Sequence, residues 1–355
     1  MKILRLHGPH DLRLHDDKEP VPAPGQQLLK VTSVGICGSD LHWFSEQGIG
    51  DARLVSPLVL GHEFSAVIDG GACNGQRVAV DPAISCGVCE PCQKGYPNLC
   101  SKVIFAGHGG TDGALREFMT WDITCLHQLP EGLTDEDGAM LEPLGVAIHA
   151  VDLAHLKTGM TVGVFGCGPI GLLIIQLARL SGAARIIATD KLPHRVEAAK
   201  ALGAQHVFLT DGGPSGLTCT CSTGAGRTEP EVSQILAANG KRGVDVAFEV
   251  AGEQGAVEDA VAAVVPGGKV ILAGIPADDR ISLPAGMVRR KGLTLKLVRR
   301  MKHTYPRAID LVSRGLVDVR SLVTHRFPLE QAAEAFAVAE RREGLKIIVT
   351  VNRGR

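Results

Sequence analysis

The chain has 355 residues, enough for two domains at ~100–200 residues each. Its 37 basic and 38 acidic side chains leave a formal net charge of −1, so no global field draws it to nucleic acid or anionic lipid. Its 43 glycines exceed the ~7% of ordinary chains, and its ten cysteines are too few for a small disulfide scaffold.

The opening stretch MKILRLHGPHDLRLHDD is interrupted by charges and lacks the apolar core of a secretory signal. The apolar run 162–178 contains four glycines and a proline and is shorter than the ~20 residues a membrane helix needs. A cytoplasmic protein with reduced thiols and no membrane partner is therefore expected. The first 140 residues read as short strands separated by turns (LLKVTSVGI, PLVLGHEFSAVI, GQRVAV), a mainly-β region. From Gly159 strands alternate with helical segments. VGVF precedes IGLLIIQLARL, IIAT precedes RVEAAKAL, HVFL precedes SQILAAN, VDVAFEV precedes AVEDAVAAV, and KVILAG closes the series. These nearly all-apolar strands fit a parallel sheet with helices on both faces. Segment 211–230, rich in Gly, Pro, Ser and Thr, reads as a surface insertion, and its Cys219 and Cys221 have no second pair of ligands nearby. After about residue 288 come LTLKLV, helices near TYPRAIDLV and LEQAAEAFAVAE, and a last strand KIIVTV. Placing these with the mainly-β region gives one domain of 1–147 plus 288–355 enclosing a second at 148–287. The fold class is α/β.

Residues VGVFGCGPIGL set Gly166, Gly168 and Gly171 in Gly-x-Gly-x-x-Gly spacing, after a strand and at a helix start opened by Pro169 and Ile170. Such a turn lets backbone approach a pyrophosphate, and the helix N-terminus supplies free N–H groups. Nineteen residues past Gly171, at the end of IIAT, Asp190 is placed to hydrogen-bond ribose hydroxyls. Two unit charges ~4 Å apart repel by ~4 kcal/mol at an effective dielectric of 20, so a carboxylate there favours NAD over the 2′-phosphate of NADP. Lys191 and Arg195 offset part of that repulsion.

In CGVCEPCQKGYPNLC, Cys86, Cys89, Cys92 and Cys100 crowd one loop, a ligand set for a closed, structural zinc. The same four thiols also suit an iron–sulfur cluster, or two disulfides in an oxidising compartment. A dispersed set, Cys37 in GICGSDLHW, His62 and Glu63 in GHEF, and Glu142 in LEPLG, offers a thiolate, an imidazole and two carboxylates for a catalytic zinc with an open position. One thiolate and one carboxylate neutralise Zn²⁺, so Glu63 and Glu142 are expected to compete or to exchange with water.

CGSDLHW, VLGHE, the four-cysteine loop, LEPLGVAIHA and GCGPIG form an ordered set that resembles the zinc-dependent medium-chain dehydrogenase/reductase family, in its polyol (sorbitol) dehydrogenase branch. The resemblance implies a GroES-like catalytic domain around a Rossmann domain, two zinc ions per chain, NAD and a homotetramer. It implies that Cys37, His62 and Glu63 hold the catalytic zinc, with Glu142 at or beside it. Ser39 matches the hydroxyl that passes on the substrate proton, and His42 the outer relay base. Asp40 is placed to orient His62 through its far nitrogen. The family's substrate arginine aligns with Arg300, in a segment (Val298, Arg299, Arg300) that also borders the cofactor. Nicotinamide-side contacts fall near Ala273, Gly274 and Ile275, and Arg195 lies beside the adenosine ribose. The implied reaction is oxidation of a secondary hydroxyl of a polyol or sugar alcohol to a ketone. Trp43 and Met301 stand where the sorbitol enzymes commonly have tyrosine. Each missing phenol removes a hydrogen bond worth ~0.5–1.5 kcal/mol, which weakens the case for sorbitol itself. L-threonine 3-dehydrogenase, 2,3-butanediol dehydrogenase and L-idonate 5-dehydrogenase share these motifs and remain alternatives. A non-catalytic zinc-loop binding protein is a further alternative, opposed by the neutral charge and the cofactor motif.

Overall fold

The computed structural model describes residues 1–210 and 230–352. The expected insertion 211–230, with Cys219 and Cys221, lies outside the described residues except for Pro230, which opens a helix Pro230–Ala238. The chain divides into two compact units, Met1–Val146 with Arg300–Arg355, and Ala147–Arg299.

In the first unit a seven-stranded sheet is centred on Gln26–Gly35. Glu63–Asp69, Arg77–Val80 and Leu126–Gln128 follow on one side, and Lys346–Thr350 and Val323–Pro328 on the other. Phe118–Asp122 pairs with the opposite end of the central strand. Alternating apolar positions build the core, with Leu29, Val31, Val34, Phe64, Ala66, Val78, Met119, Phe336 and Val349 buried together. The antiparallel pairing of Lys346–Thr350 with the central strand, Ile348 opposite Gly35 and Gly35 opposite Glu63, carries the C-terminal segment to the His62–Glu63 turn.

The second unit is a six-stranded parallel sheet. Its spatial order is His206–Leu209, Arg185–Asp190, Thr161–Phe165, Val244–Glu249, Val264–Leu272, Thr294–Leu297. Order 3-2-1-4-5-6 is that of a doubly wound dinucleotide domain, whose switch point falls between Thr161–Phe165 and Val244–Glu249. All five residues of Thr161–Phe165 are buried, as helices on both faces require.

The junction expected at 287/288 lies instead at 299/300. LTLKLV is the sixth strand of the parallel sheet, not part of the first domain. Thr294–Leu297 pairs with Val264–Leu272, and Leu293 and Leu295 pack on that unit's core. A four-residue alternation fits either sheet by pattern; the open edge beside Val264–Leu272 decides which.

Candidate active site

The dinucleotide loop follows from local sterics. Gly166 adopts φ +105°, which L side chains rarely adopt, and a Cβ on Gly171 would run into the Gly166 carbonyl. Helix Pro169–Leu180 begins there with Gly168 as its N-cap. Asp190, nearly buried at the end of Arg185–Asp190, accepts hydrogen bonds from the Cys167 N–H (2.7 Å) and the Leu192 N–H (2.8 Å). Its carboxylate thus joins the glycine loop to the next turn while each oxygen retains capacity for a second donor. The Arg195 guanidinium lies 3.6 Å from where a Gly168 side chain would begin. Lys191 pairs with Glu253. Val298 donates to the Leu272 carbonyl (2.8 Å), and Ala273 and Gly274 donate to that of Glu249 (2.8 and 3.1 Å). Val298 and the Ala273–Gly274 turn therefore both lie at the carboxyl ends of their strands, and Ile275 just beyond is exposed. Main-chain N–H groups at the start of helix Pro169–Leu180, with the Arg195 guanidinium beside Gly168, suit a diphosphate-linked ligand.

In the first unit the ligand atoms of Cys37, His62 and Glu63 lie within 4.8 Å of one another, and Glu142 stands outside that set. Cys37 caps helix Gly38–Glu46, and its N–H donates to Asp40 Oδ2 at 2.9 Å. Asp40 Oδ1 faces His62 Nδ1 at 3.3 Å and accepts from the Gly61 N–H at 3.3 Å. Burial alone would lower the pKa of His62, but the charge and hydrogen bond of Asp40 hold the imidazole well above its ordinary 6.5. The same pairing keeps Asp40 below 3.8 against its own desolvation. With Nδ1 so occupied, Nε2 is the nitrogen left for a metal, and the Ser39 hydroxyl lies 3.4 Å from it. His42 Nδ1 meets Glu46 Oε2 at 3.0 Å one helical turn on, partly open to solvent. A thiolate, an imidazole and a carboxylate, oriented by a buried aspartate, are a donor set zinc accepts.

Sequence reasoning passed over Lys346. This buried lysine donates to the Ile36 carbonyl (3.0 Å) and forms an ion pair with Glu63. Desolvation opposes its charge, yet Glu63 raises its pKa above the ordinary 10.5. The charge count for the site changes accordingly. With Zn²⁺, Cys37 thiolate, Glu63 and Lys346 the sum is +1; the buried Asp40 carboxylate brings it to zero and an ionised Glu142 would make it −1, the excess behind the expected competition between the two carboxylates. In the protein without metal, burial pushes the Glu142 carboxyl up to about 8, and the Glu63 charge adds to the effect. The available signal for Lys346 was a lysine opening an otherwise apolar strand.

At the four-cysteine loop Sγ of Cys89 lies 3.4 Å from that of Cys92 and 3.8 Å from that of Cys100. Sulfurs around a tetrahedral zinc at ~2.3 Å are separated by ~3.8 Å, and these separations exclude disulfide bonding at ~2.05 Å. Main-chain N–H groups of Cys86 and Lys102 donate to Cys100 Sγ and that of Cys89 to Cys86 Sγ, each at 3.4 Å. Backbone donation brings the Cys89 thiol down to about 6, whereas desolvation and neighbouring sulfur push Cys92 up to about 12. Four adjacent thiols ionise together only with a cation among them.

Arg300, at φ +52°, donates from Nη2 to the Asn98 carbonyl (2.6 Å), and its guanidinium lies 5.4 Å from the Phe105 ring centre. Phe105 in turn lies 5.3 Å from the His62 ring. Trp43 and Met301 are buried. Neither Phe105 nor His108, whose ring stands edge-on to Trp43 at 5.3 Å, was found from the sequence, because the short strand Ile104–Phe105 and the turn after it carry no motif.

A sheet domain presenting a cysteine, histidine and carboxylate cluster, joined to a doubly wound domain with a phosphate-binding glycine loop, defines a metal-dependent dehydrogenase. Residues 23–131 match the alcohol dehydrogenase GroES-like domain and residues 169–314 the zinc-binding dehydrogenase domain. Sorbitol dehydrogenase of Bacillus subtilis is 34% identical, over 99% of this chain and 98% of that protein. The solved 2R,3R-butanediol dehydrogenase of Bacillus subtilis is 30% identical with a TM-score of 0.84, over 99% of both chains. A putative zinc-binding dehydrogenase of Sinorhizobium meliloti bound to NADP is 28% identical with a TM-score of 0.86, also over 99% of both. The chain is an oxidoreductase and belongs to the zinc-dependent medium-chain dehydrogenase/reductase family, among the sorbitol dehydrogenase-like proteins. No helix among the described residues is long and apolar enough to cross a membrane.

Proposed function

We propose that the protein oxidises a secondary hydroxyl of a polyol or sugar alcohol to a ketone with NAD, using one catalytic and one structural zinc per chain. The observation that carries this reading is the convergence of Cys37, His62 and Glu63, with Asp40 behind His62, in a chain similar over its whole length to a sorbitol dehydrogenase. Cys37, His62 and Glu63 would hold the catalytic ion with Glu142 beside it, Lys346 and Asp40 would complete the charge balance, and Cys86, Cys89, Cys92 and Cys100 would hold the structural one. Bound zinc supplies Lewis acidity that acidifies an alcohol, and bound NAD accepts hydride.

Ser39, 3.4 Å from the metal-directed nitrogen of His62, would accept the hydroxyl proton while releasing its own onward, and His42, backed by Glu46, would receive the relayed proton at the solvent side. Asp40 holds the His62 ring and tautomer. Arg300, braced on Asn98 and Phe105, orients a substrate hydroxyl. Asp190 accepts from the adenosine ribose while keeping its two backbone donors, and Arg195, beside Gly168, borders the same end of the cofactor. The buried carboxylate of Asp190 supports NAD, because it would repel a ribose 2′-phosphate; the NADP-bound relative makes this residue, and not family membership, the ground for the choice. The parallel sheet ends in Thr294–Leu297, with Leu297 68% exposed, an edge suited to a second copy and in keeping with a homotetramer in the cytoplasm.

Zinc-loaded protein assayed with NAD against polyols, vicinal diols and β-hydroxy acids should form NADH fastest with a polyol, and no turnover with any of them would refute the reading. Metal analysis should find two zinc ions per chain. Asp190→Ala should raise the NADP-to-NAD ratio of kcat/KM about tenfold or more, and an unchanged ratio would remove Asp190 from cofactor selection.

A further inference from the structure

In the doubly wound unit one buried carboxyl group joins the turns that border the cofactor site. Glu249 closes strand Val244–Glu249 at its carboxyl end and is fully buried. Its Oε1 accepts from the N–H groups of Ala251 (2.8 Å) and Gly252 (2.7 Å), while its main-chain carbonyl accepts from Ala273 and Gly274. The turns at 250–252 and 273–275 are thereby bonded to one residue, and they pack backbone against backbone. Gly252 has φ +72°, and a Cβ on it would run into the Ile275 carbonyl, as one on Gly274 would run into Gly252. On the other side a Cβ on Gly166 would meet the Ala251 nitrogen at 3.0 Å, and the Val250 N–H donates to the Phe165 carbonyl (2.9 Å). Burial pushes the Glu249 carboxyl above its ordinary 4.5, and the hydrogen bonds from Gly252 and Ala251 pull it back. An apolar side chain would avoid that desolvation cost, so packing alone does not account for a carboxyl group here.

We infer that Glu249 is a positioning residue for the nicotinamide half of the cofactor, acting through the turn 250–252 and the turn 273–275 that rests on it. This rests on the proposed use of NAD and names the residue that shapes the far half of its site. A dinucleotide lies across the switch point of such a sheet. Asp190, placed for the adenosine ribose, closes a strand on one side of the switch point, and Glu249 closes the first strand on the other. The ends of Val244–Glu249 and Val264–Leu272 therefore lie on the half that receives nicotinamide. Loss of the carboxyl leaves the Ala251 and Gly252 N–H groups without their acceptor and withdraws the support under 273–275. The glycine loop and Asp190 keep their own hydrogen bonds, so the adenosine half is left in place.

The test measures the Kd of NADH and of ADP by calorimetry in zinc-loaded wild type, Glu249→Met, Glu249→Asp and Glu249→Gln. ADP carries the adenosine and diphosphate and lacks the nicotinamide half. Glu249→Met should weaken NADH about tenfold or more and ADP less than about twofold, as loss of the acceptor for two N–H groups predicts. Glu249→Asp withdraws the carboxylate by one methylene and should show the same split at about three- to fivefold, which decides the matter if the methionine variant does not fold. Glu249→Gln keeps an amide oxygen for both N–H groups and should bind NADH within about twofold of wild type. Equal losses on NADH and ADP would make Glu249 a packing residue of the whole unit, and undiminished NADH binding would remove it from the site. A glutamine loss matching that of the other variants would show that the two hydrogen bonds do not set the turn. Each of these results overturns the inference. Wild-type protein that bound neither NADH nor ADP would instead refute the proposed cofactor, and this inference with it.

Discussion

Around Cys37, His62 and Glu63 the groups that hold the site come from separate strands and helices. Around Cys86, Cys89, Cys92 and Cys100 they come from fifteen consecutive residues of one loop. In the loop, main-chain N–H groups and neighbouring sulfurs are the partners. At the dispersed cluster, charges answer charges, Asp40 to His62 and Lys346 to Glu63, all of them nearly inaccessible. A site made by one loop can close on a metal and be done, since nothing else needs to reach it. A site assembled from distant segments leaves its ligands orientable and one side open, at the cost of burying ions that must balance.

Four substitutions separate these roles. Cys37→Ser should lower turnover at least ~10³-fold while the thermal midpoint moves little, measured by NADH formation and calorimetry on the same preparation. Lys346→Met strands the Glu63 carboxylate in a dry setting and should cost about 3–5 kcal/mol in denaturant unfolding, with part of it regained on adding Glu63→Gln. Cys100→Ser should cost at least ~2 kcal/mol of stability, yet the folded fraction should keep kcat within about fivefold. If Cys37→Ser and Cys100→Ser act alike on both readouts, the division into a reactive and a structural centre is wrong.

The smallest effect concerns pH. In the metal-free protein Glu142 titrates at about 8, whereas an unfolded carboxyl titrates near 4.5. Between those values the folded state holds the extra proton, so the stabilisation present below ~4.5 declines as pH rises through about 8. Unfolding of the apoprotein from pH 5 to 8.5 should show this fall, and Glu142→Gln should flatten it. A slope unchanged in Glu142→Gln would assign the pH dependence to other groups.

The architecture was legible where periodicity and spacing are local. Apolar strands alternating with helices, and three glycines at a strand-to-helix turn, do not depend on distant residues. LTLKLV could not be assigned to its unit by pattern, because a short alternating strand says how it lies in a sheet and not which sheet has a free edge. Of the reactive cluster, Cys37, His62, Glu63 and Asp40 could be read because GICGSDLHW and GHEF belong to an ordered set of motifs that resembles a known family, whereas each residue alone is ordinary. Lys346 is 283 positions from Glu63 and meets it only through the pairing of the last strand with the central one.

By itself, then, the sequence determined the α/β class, the phosphate-binding turn, the sulfur loop and the residue types available for zinc, since each follows from short-range sterics or ligand chemistry. Tertiary structure alone decided where the units divide, which cation balances the buried carboxylates and that His108 shares a wall with Trp43 and Phe105. Those are matters of which strand finds an edge and which buried charge finds a partner, and both depend on contacts between residues far apart in the chain.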